Sequence, residues 1–192
     1  MGTKYGAYCG KVAKIDLTTR EVSDYPFSDK ERELFLGGKI MAAKIIYDNI
    51  KEKIDPLSPE NMIVIATGPL NAVGAPCSSR FDTSTISPLT GLYTSSNCGG
   101  NFGMAMKRAG YDAIIITGKS EEKVYISITN DKIEFKNADF LWGMTTQEAQ
   151  KAIPEKGDKF VIGPAGENLV KYACVVSNER AAGRGGVGAI CN

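Results

Sequence analysis

No histidine occurs among the 192 residues. Its absence removes the Ser-His-Asp triad and the usual base that titrates near neutrality. Cysteine is sparse and badly spaced for metal: Cys9, Cys77, Cys98, Cys174 and Cys191 are odd in number and form no C-x-x-C pair. A structural zinc site is therefore not expected, and the five thiols read as small buried or half-buried residues of a reducing compartment. Excess charge of either sign is missing too, because 23 Lys and Arg face 22 Asp and Glu for a net charge of +1. No broad field draws nucleic acid or an acidic membrane surface. There is no uncharged apolar run long enough to span a bilayer. The opening MGTKYGAYCGKVAKIDL has no apolar signal-peptide core, and Gly6 stands where a myristoylation signal needs Ser or Thr. The expectation is a cytoplasmic protein without nucleic-acid or membrane partners, whose chemistry uses carboxylates, lysines or a cofactor.

What is present is an ordinary globular composition, 43% apolar and 23% charged, enough for one domain with a real core. KVAKIDLTTREVSDYPF reads as strand, turn, strand, with Ala13, Ile15 and Leu17 alternating against polar neighbours. SDKERELFLGGKIMAAKIIYDNI reads as helix, with a Ser28–Glu31 capping box and a break at Gly37-Gly38. NMIVIAT is a strand buried on both faces. A Gly-, Pro- and Ser-rich stretch follows, with short strands predicted at Arg80 to Ser87 and Leu92 to Ser95. Then come a helix in NFGMAMKRAG, capped by Gly110, and a buried strand in YDAIIITGK.

The pattern then restarts. KVYISITNDKIEFKNADF reads as strand, Asn-Asp turn, strand; TTQEAQKAI as a helix with a Thr145–Glu148 capping box; KFVIGPAGE as a short apolar strand running into Gly163-Pro164, as the earlier one runs into Gly68-Pro69. Each Gly-Pro pair is followed by a polar strand-like stretch and a glycine cluster, NCGGNFGMA in the first case and AAGRGGVGA in the second. This predicts an internal duplication, with Asn97-x-Gly99 set against Ala181-x-Gly183. By that ruler the second copy lacks about ten residues, a short helix end and a strand, so the chain is expected to stop inside its domain, just before a last strand.

A glycine cluster ahead of a helix turns free backbone N–H groups toward one point, where the helix dipole adds positive charge. Glycine lets backbone approach a ligand closely, and arginine supplies a bidentate clamp for phosphate or a planar heterocycle. Arg80, Arg180 and Arg184 lie in or near the two loops. Neither loop is a G-x-G-x-x-G fingerprint or a phosphate-binding G-x-x-x-x-G-K-S/T. One such loop is most simply a tight turn; two in corresponding places make a pair of similar phosphate sites. Glu167 and Asn168 in AGEN read as a polar turn fixing the Gly-Pro loop.

DPLSPEN, ATGPL, GAPCSSRF, SPLTG, NCGGNFG, KRAGYDAIIITGK, IGPAGENLVKYA and ERAAGRGGVGA stand in this order, and together they resemble the N-terminal domain of the tungsten-dependent aldehyde:ferredoxin oxidoreductases from about Lys11 to Ala189. The resemblance implies an α+β fold for residues 1–192: two β-sheets related by a pseudo-twofold axis with helices packed outside. It implies a tungsten (or molybdenum) bis-pterin whose two phosphates are bridged by magnesium. Arg80 and Arg180 match arginines that contact the pterins, Gly99 and Gly183 match backbone contacts, and Asn97 and Ala181 match the main-chain oxygens that meet magnesium. The family's 4Fe–4S cluster and the groups that act at the metal belong to domains absent from this chain, so the chain by itself is expected to be inactive and to carry no catalytic residue. The implied whole is an enzyme, homo-oligomeric in full-length form. It oxidises aldehydes to carboxylic acids, or acts on a related carbonyl or thioester, and passes electrons to ferredoxin through the C-terminal iron–sulfur domains or subunit. The rival reading is a non-catalytic phosphate-binding or assembly subunit beside a separate catalytic chain.

Overall fold

Three of the predicted apolar runs lie side by side in one sheet. In the computed structural model, which describes residues 3–130 and 132–192, the hairpin β1 (Val12–Asp16) and β2 (Val22–Asp24) is followed by α1 (Asp29–Phe35) and α2 (Gly38–Asn49). Then come β3 (Met62–Thr67), β4 (Phe81–Ile86), β5 (Tyr93–Cys98), α3 (Phe102–Arg108) and β6 (Ala113–Thr117). These strands form one six-stranded sheet in the order β2-β1-β6-β3-β4-β5. β1 and β6 pair in parallel; the other neighbours are antiparallel. All six residues of β3 are buried, as a central strand covered on both faces requires.

The two faces have different partners. Val12, Met62, Val64, Ala66, Ala113 and Ile115 pack on Met41, Ala42, Ile45 and Ile46 of α2. Ala13, Ile15, Ile63, Ile65, Phe81 and Ile114 face the second half of the chain. That half comprises β7 (Val124–Ile128), β8 (Ile133–Asn137), α4 (Thr146–Ala152), α5 (Pro164–Glu167), β9 (Val175–Ser177), β10 (Arg180–Ala182) and α6 (Val187–Ile190). Phe81, Phe102 and Phe160 join the halves, with ring centroids 5.1–5.3 Å apart.

The order hairpin, helix, Gly-Pro, polar hairpin, glycine loop, short helix thus occurs twice. The second set of strands forms two separate two-stranded ribbons, β7-β8 and β10-β9, rather than one sheet. The apolar segment before Gly163 makes a single bridge, Val161 to Val176, because Pro164 starts α5 at once. The predicted turn between β7 and β8 includes Asp131, which lies outside the described residues, as do Met1 and Gly2. Three thiols differ from the buried or half-buried expectation. Cys9, Cys77 and Cys191 are exposed, and only Cys98 and Cys174 are covered. Cys77 sits in a surface turn at φ +58, where no core reaches it. No helix among the described residues is long and apolar enough to cross a membrane.

Both capping boxes are formed. Ser28 and Glu31 exchange side-chain and backbone bonds at the start of α1, and Thr145 and Glu148 do so at the start of α4. Thr145→Ala removes the acceptor for the Glu148 N–H, so a loss of about 1 kcal/mol is expected. For a chain of this size that is a fall of roughly 2–4 °C in melting temperature. A melting curve unchanged by this substitution would show that α4 is held by packing alone.

Candidate functional site

The two glycine loops meet. The first follows β5 and the second follows β10, and these two strands pack against each other. A Cβ placed on Gly100 would lie 3.6 Å from Cγ of Arg180. Ser96 Oγ donates to the Gly183 carbonyl at 2.8 Å, so a β5 side chain holds the second loop directly.

The glycines of these loops do two different jobs. A Cβ on Gly99 or on Gly183 would meet nothing within 4 Å, so the backbone at both positions faces open space. A Cβ on Gly185 would lie 2.7 Å from Ser96 Oγ, one on Gly186 2.2 Å from the Lys171 carbonyl, and one on Gly188 2.5 Å from the Cys174 carbonyl. Those three are glycine because chain packs on them. Gly99 and Gly183 leave backbone accessible to a ligand. Arg184 sits between the two groups at φ +68, a conformation that a non-glycine residue holds only when its neighbours fix it.

Asn97 and Ala181 each occupy the penultimate residue of a strand, β5 and β10, and both are exposed. The strand predicted to end at Ser95 therefore continues through Asn97, paired with Asp82 on β4. Arg80 immediately precedes β4. Its Nη1 donates to Asn97 Oδ1 at 2.6 Å, and its carbonyl accepts from Asn71 Nδ2 at 2.8 Å. Arg180 is the exposed first residue of β10, opposite Ser177. The two arginines thus reach the site from non-equivalent positions of the repeat. Among the described residues neither is in a salt bridge. Cys98, fully buried, lies within the field of both. Burial pushes its thiol up, Arg80 and Arg180 pull it down, and the net shift is upward, so the group stays a neutral thiol near pH 7.

Arg80 and Asn97 also line a groove of about 480 Å³ that extends to the start of α2, past Gly38, Lys39, Asp82 and Ser95. Gly37 lets α2 dock there, since a Cβ on it would lie 2.5 Å from the Thr67 carbonyl. Having no side chain, Gly37 makes no side-chain cap for α2. The carboxylate in the groove, Asp82, accepts from Ser95 Oγ at 3.2 Å and from Asn97 Nδ2 at 3.3 Å. Glu167, by contrast, accepts the Gly143 N–H on both oxygens at 3.0 Å, and Asn168 Nδ2 donates to the Pro164 carbonyl at 2.7 Å. AGEN is thus not a turn but the body and C-terminal cap of the short helix α5 (Pro164–Glu167), which Glu167 ties to Gly143.

Sequence reasoning alone misses Asp82, Ser95, Ser96 and the Gly37–Lys39 corner. One signal for Asp82 exists: Arg80 and Asp82 are two residues apart next to a strand, hence on the same face. Taken together, open glycine backbone and two arginines that make no salt bridge among the described residues converge from both halves of the chain. This donor set suits an anionic ligand with two charged ends, and the unobstructed space at Gly99 and Gly183 leaves room for its close approach.

Residues 12–192 match the family model described as aldehyde ferredoxin oxidoreductase, N-terminal domain. The chain is 42% identical over 192 residues to a tungsten-containing aldehyde ferredoxin oxidoreductase of Pyrococcus furiosus, covering 97% of this chain and 32% of that protein. It is 33% identical over 205 residues to an aliphatic sulfonate oxidoreductase, WOR-like subunit, of the same organism, covering 96% of this chain and 32% of the relative. Among solved structures, the active-site complex BamBC of benzoyl coenzyme A reductase, in complex with 1,5-dienoyl-CoA, is similar, with a TM-score of 0.93 at 38% identity. That match covers 96% of this chain and 29% of the other. The chain therefore spans about a third of the length of the proteins it resembles.

Proposed function

The chain belongs to the aldehyde ferredoxin oxidoreductase N-terminal domain family, and from that premise we propose that it is the base on which a larger oxidoreductase holds a tungsten bis-pterin. The observation that carries the proposal is the meeting of two glycine loops beside two arginines that make no salt bridge among the described residues. In this reading Arg80 and Arg180 offset the charge of the two pterin phosphates. The backbone at Gly99 and Gly183 would leave room for them, and the main-chain oxygens of Asn97 and Ala181 would hold the magnesium. When bound, the metal and its pterins supply the redox chemistry. The chain's own residues bind and orient: the loops present donors in fixed positions, and Ser96 keeps the second loop in register with the first.

The iron–sulfur cluster, ferredoxin as electron acceptor, oligomerisation and a cytoplasmic location follow from the same family reading and concern the whole protein. So does the substrate. The relatives are named for aldehyde, sulfonate and benzoyl-CoA chemistry although they share this domain, so the substrate pocket is assigned to the remainder of the protein. An aldehyde, or a related carbonyl or thioester, is the proposed substrate class.

Arg180→Ala in the full-length protein tests the proposal. A charge-assisted hydrogen bond is worth roughly 1.5–3 kcal/mol, so about a tenfold or larger fall in pterin retention is expected. Arg180→Lys should lose less, since it keeps the charge but not the planar fork. In the cofactor-free chain, Arg180→Ala should leave the melting temperature unchanged or higher, because among the described residues this exposed cation has no ion-pair partner to lose. Pterin and tungsten per chain, with a thermal melt of the free chain, are the measurements. Full retention in Arg180→Ala, or a clear drop in the melt of the free chain, would remove Arg180 from the site.

A further inference from the structure

The carboxylate in the groove is not a counter-ion for the arginine beside it. Asp82 and Arg80 make no salt bridge. Instead Asp82 Oδ1 accepts from Asn97 Nδ2 at 3.3 Å and Ser95 Oγ at 3.2 Å, and Asn97 Oδ1 accepts from Arg80 Nη1 at 2.6 Å. Asn97 Nδ2 also donates to the Phe81 carbonyl at 3.4 Å. The direction of the amide is set by this company. Two of its neighbours, the Asp82 carboxylate and the Phe81 carbonyl, accept only, so they require the NH2 end. Arg80 donates only, so it requires the oxygen. Flipping the amide would break all three contacts.

Asp82 Oδ2 fills the space beside the start of α2. A Cβ on Gly38 would lie 2.9 Å from Asp82 Oδ2, and Gly38 has φ +54, so the first residue of α2 is glycine both for its backbone and for the room that the carboxylate occupies. We propose that Asp82 is a positioning residue, which fixes the Asn97 amide and through it aims Arg80 at the cofactor. The inference rests on the cofactor reading above. The amide serves as a spacer. A direct carboxylate–guanidinium pair would orient Arg80 but would also offset the charge that an anion needs. Acting through neutral Asn97, Asp82 passes on geometry and leaves the guanidinium charge available. In the second half the corresponding cross-strand pair is Ala181 with Val176, so Arg180 has no such relay.

The sign of one substitution separates positioning from simple electrostatics. If Asp82 acts by charge alone, it repels phosphate, and removing it raises retention or leaves it unchanged. If it positions Arg80, Asp82→Ala lowers pterin and tungsten per chain in the full-length protein, by roughly threefold to tenfold. Asp82→Asn keeps an oxygen that accepts from Asn97 and removes the repulsion, so its retention should equal or exceed that of the wild type. A second readout needs no cofactor. In the 15N-labelled chain, Asp82→Ala should shift the Asn97 side-chain amide resonances and broaden those of the Arg80 guanidinium, whereas Asp82→Asn should leave Arg80 as it is. If Asp82→Ala does not fold, Asp82→Ser, too short to reach Asn97, takes its place. Retention in Asp82→Ala at or above wild type, equal losses in Asp82→Ala and Asp82→Asn, or unmoved Asn97 resonances would each overturn the proposal. A wild-type protein without pterin would overturn the cofactor reading instead, and the amide resonances would still decide the positioning.

Discussion

Gly186→Ala should loosen the second half of the chain from the six-stranded sheet. Gly186 has φ +73, and a Cβ on it would lie 2.2 Å from the Lys171 carbonyl and 2.8 Å and 2.9 Å from Cγ and Cδ of Pro88. The Lys171 carbonyl is backbone, and the Pro88 ring is rigid, so neither neighbour can swing away. A left-handed conformation costs an L-residue roughly 1–2 kcal/mol, and overpacking adds typically about 1–3 kcal/mol. A total near 3 kcal/mol corresponds to a fall of roughly 6–12 °C in melting temperature for a chain of this size. Gly183→Ala, three residues earlier, should leave the melt within about 1 °C, because its Cβ meets nothing within 4 Å. In the full-length protein it should instead lower cofactor content. A Gly186→Ala chain that melts like the wild type would mean that the loop repacks freely, and the division of the glycines into packing and ligand-facing sets would fail.

A loss of about 3–5 kcal/mol is expected for Asp112→Ala. Asp112 is 1% exposed and Lys107 6% exposed, and their charged atoms are 2.7 Å apart. Asp112 also accepts the Cys9 N–H at 3.0 Å and the Gly10 N–H at 2.8 Å, which ties the N-terminal segment to the start of β6. Its removal leaves a buried ammonium and two backbone donors without their acceptor. Lys107→Met should cost less, since the carboxylate keeps both backbone donors. The double substitution Lys107→Met with Asp112→Ala should cost less than Asp112→Ala alone, because it leaves no stranded charge. Urea unfolding of the four chains closes this cycle. Equal losses in Asp112→Ala and in the double variant would show that the backbone donors, and not the ion pair, carry the effect. Lys107 Nζ also reaches the Gly68 carbonyl at 3.5 Å, and Gly68 lines the groove. The pair therefore touches backbone that lines the groove.

Features decided within a few residues of chain were legible in advance. The capping boxes at Ser28 and Thr145 depend on a side chain three residues away. The Gly110 cap needs only a positive φ, which is +94. The doubly apolar run of β3 reports burial on both faces whatever covers them. The order and spacing of the motifs were enough to point to the family, and two glycine clusters in matching places were enough to suggest a paired anion site. The sequence alone thus determined the family and the order of most strands and helices; the short strand read before Gly163 and the turn read at AGEN were the local exceptions, a single bridge and the helix α5.

Tertiary structure alone decided what each of those segments meets. A period of two places Arg80 and Asp82 on one face, but that Asp82 stands across from Asn97, and that Asn97 then turns its oxygen to Arg80, depends on the β4–β5 register. The parallel β1–β6 pair joins the two ends of the first half, a contact for which local pattern carries no signal. In AAGRGGVGA every glycine looks alike. Which of them the chain packs on was decided only when the Lys171 and Cys174 carbonyls came to rest against Gly186 and Gly188, while the Cβ direction of Gly183 stayed open. Side-chain type and periodicity record that a position is covered or must bend; which atoms cover it is fixed by long-range packing, to which distant residues contribute equally.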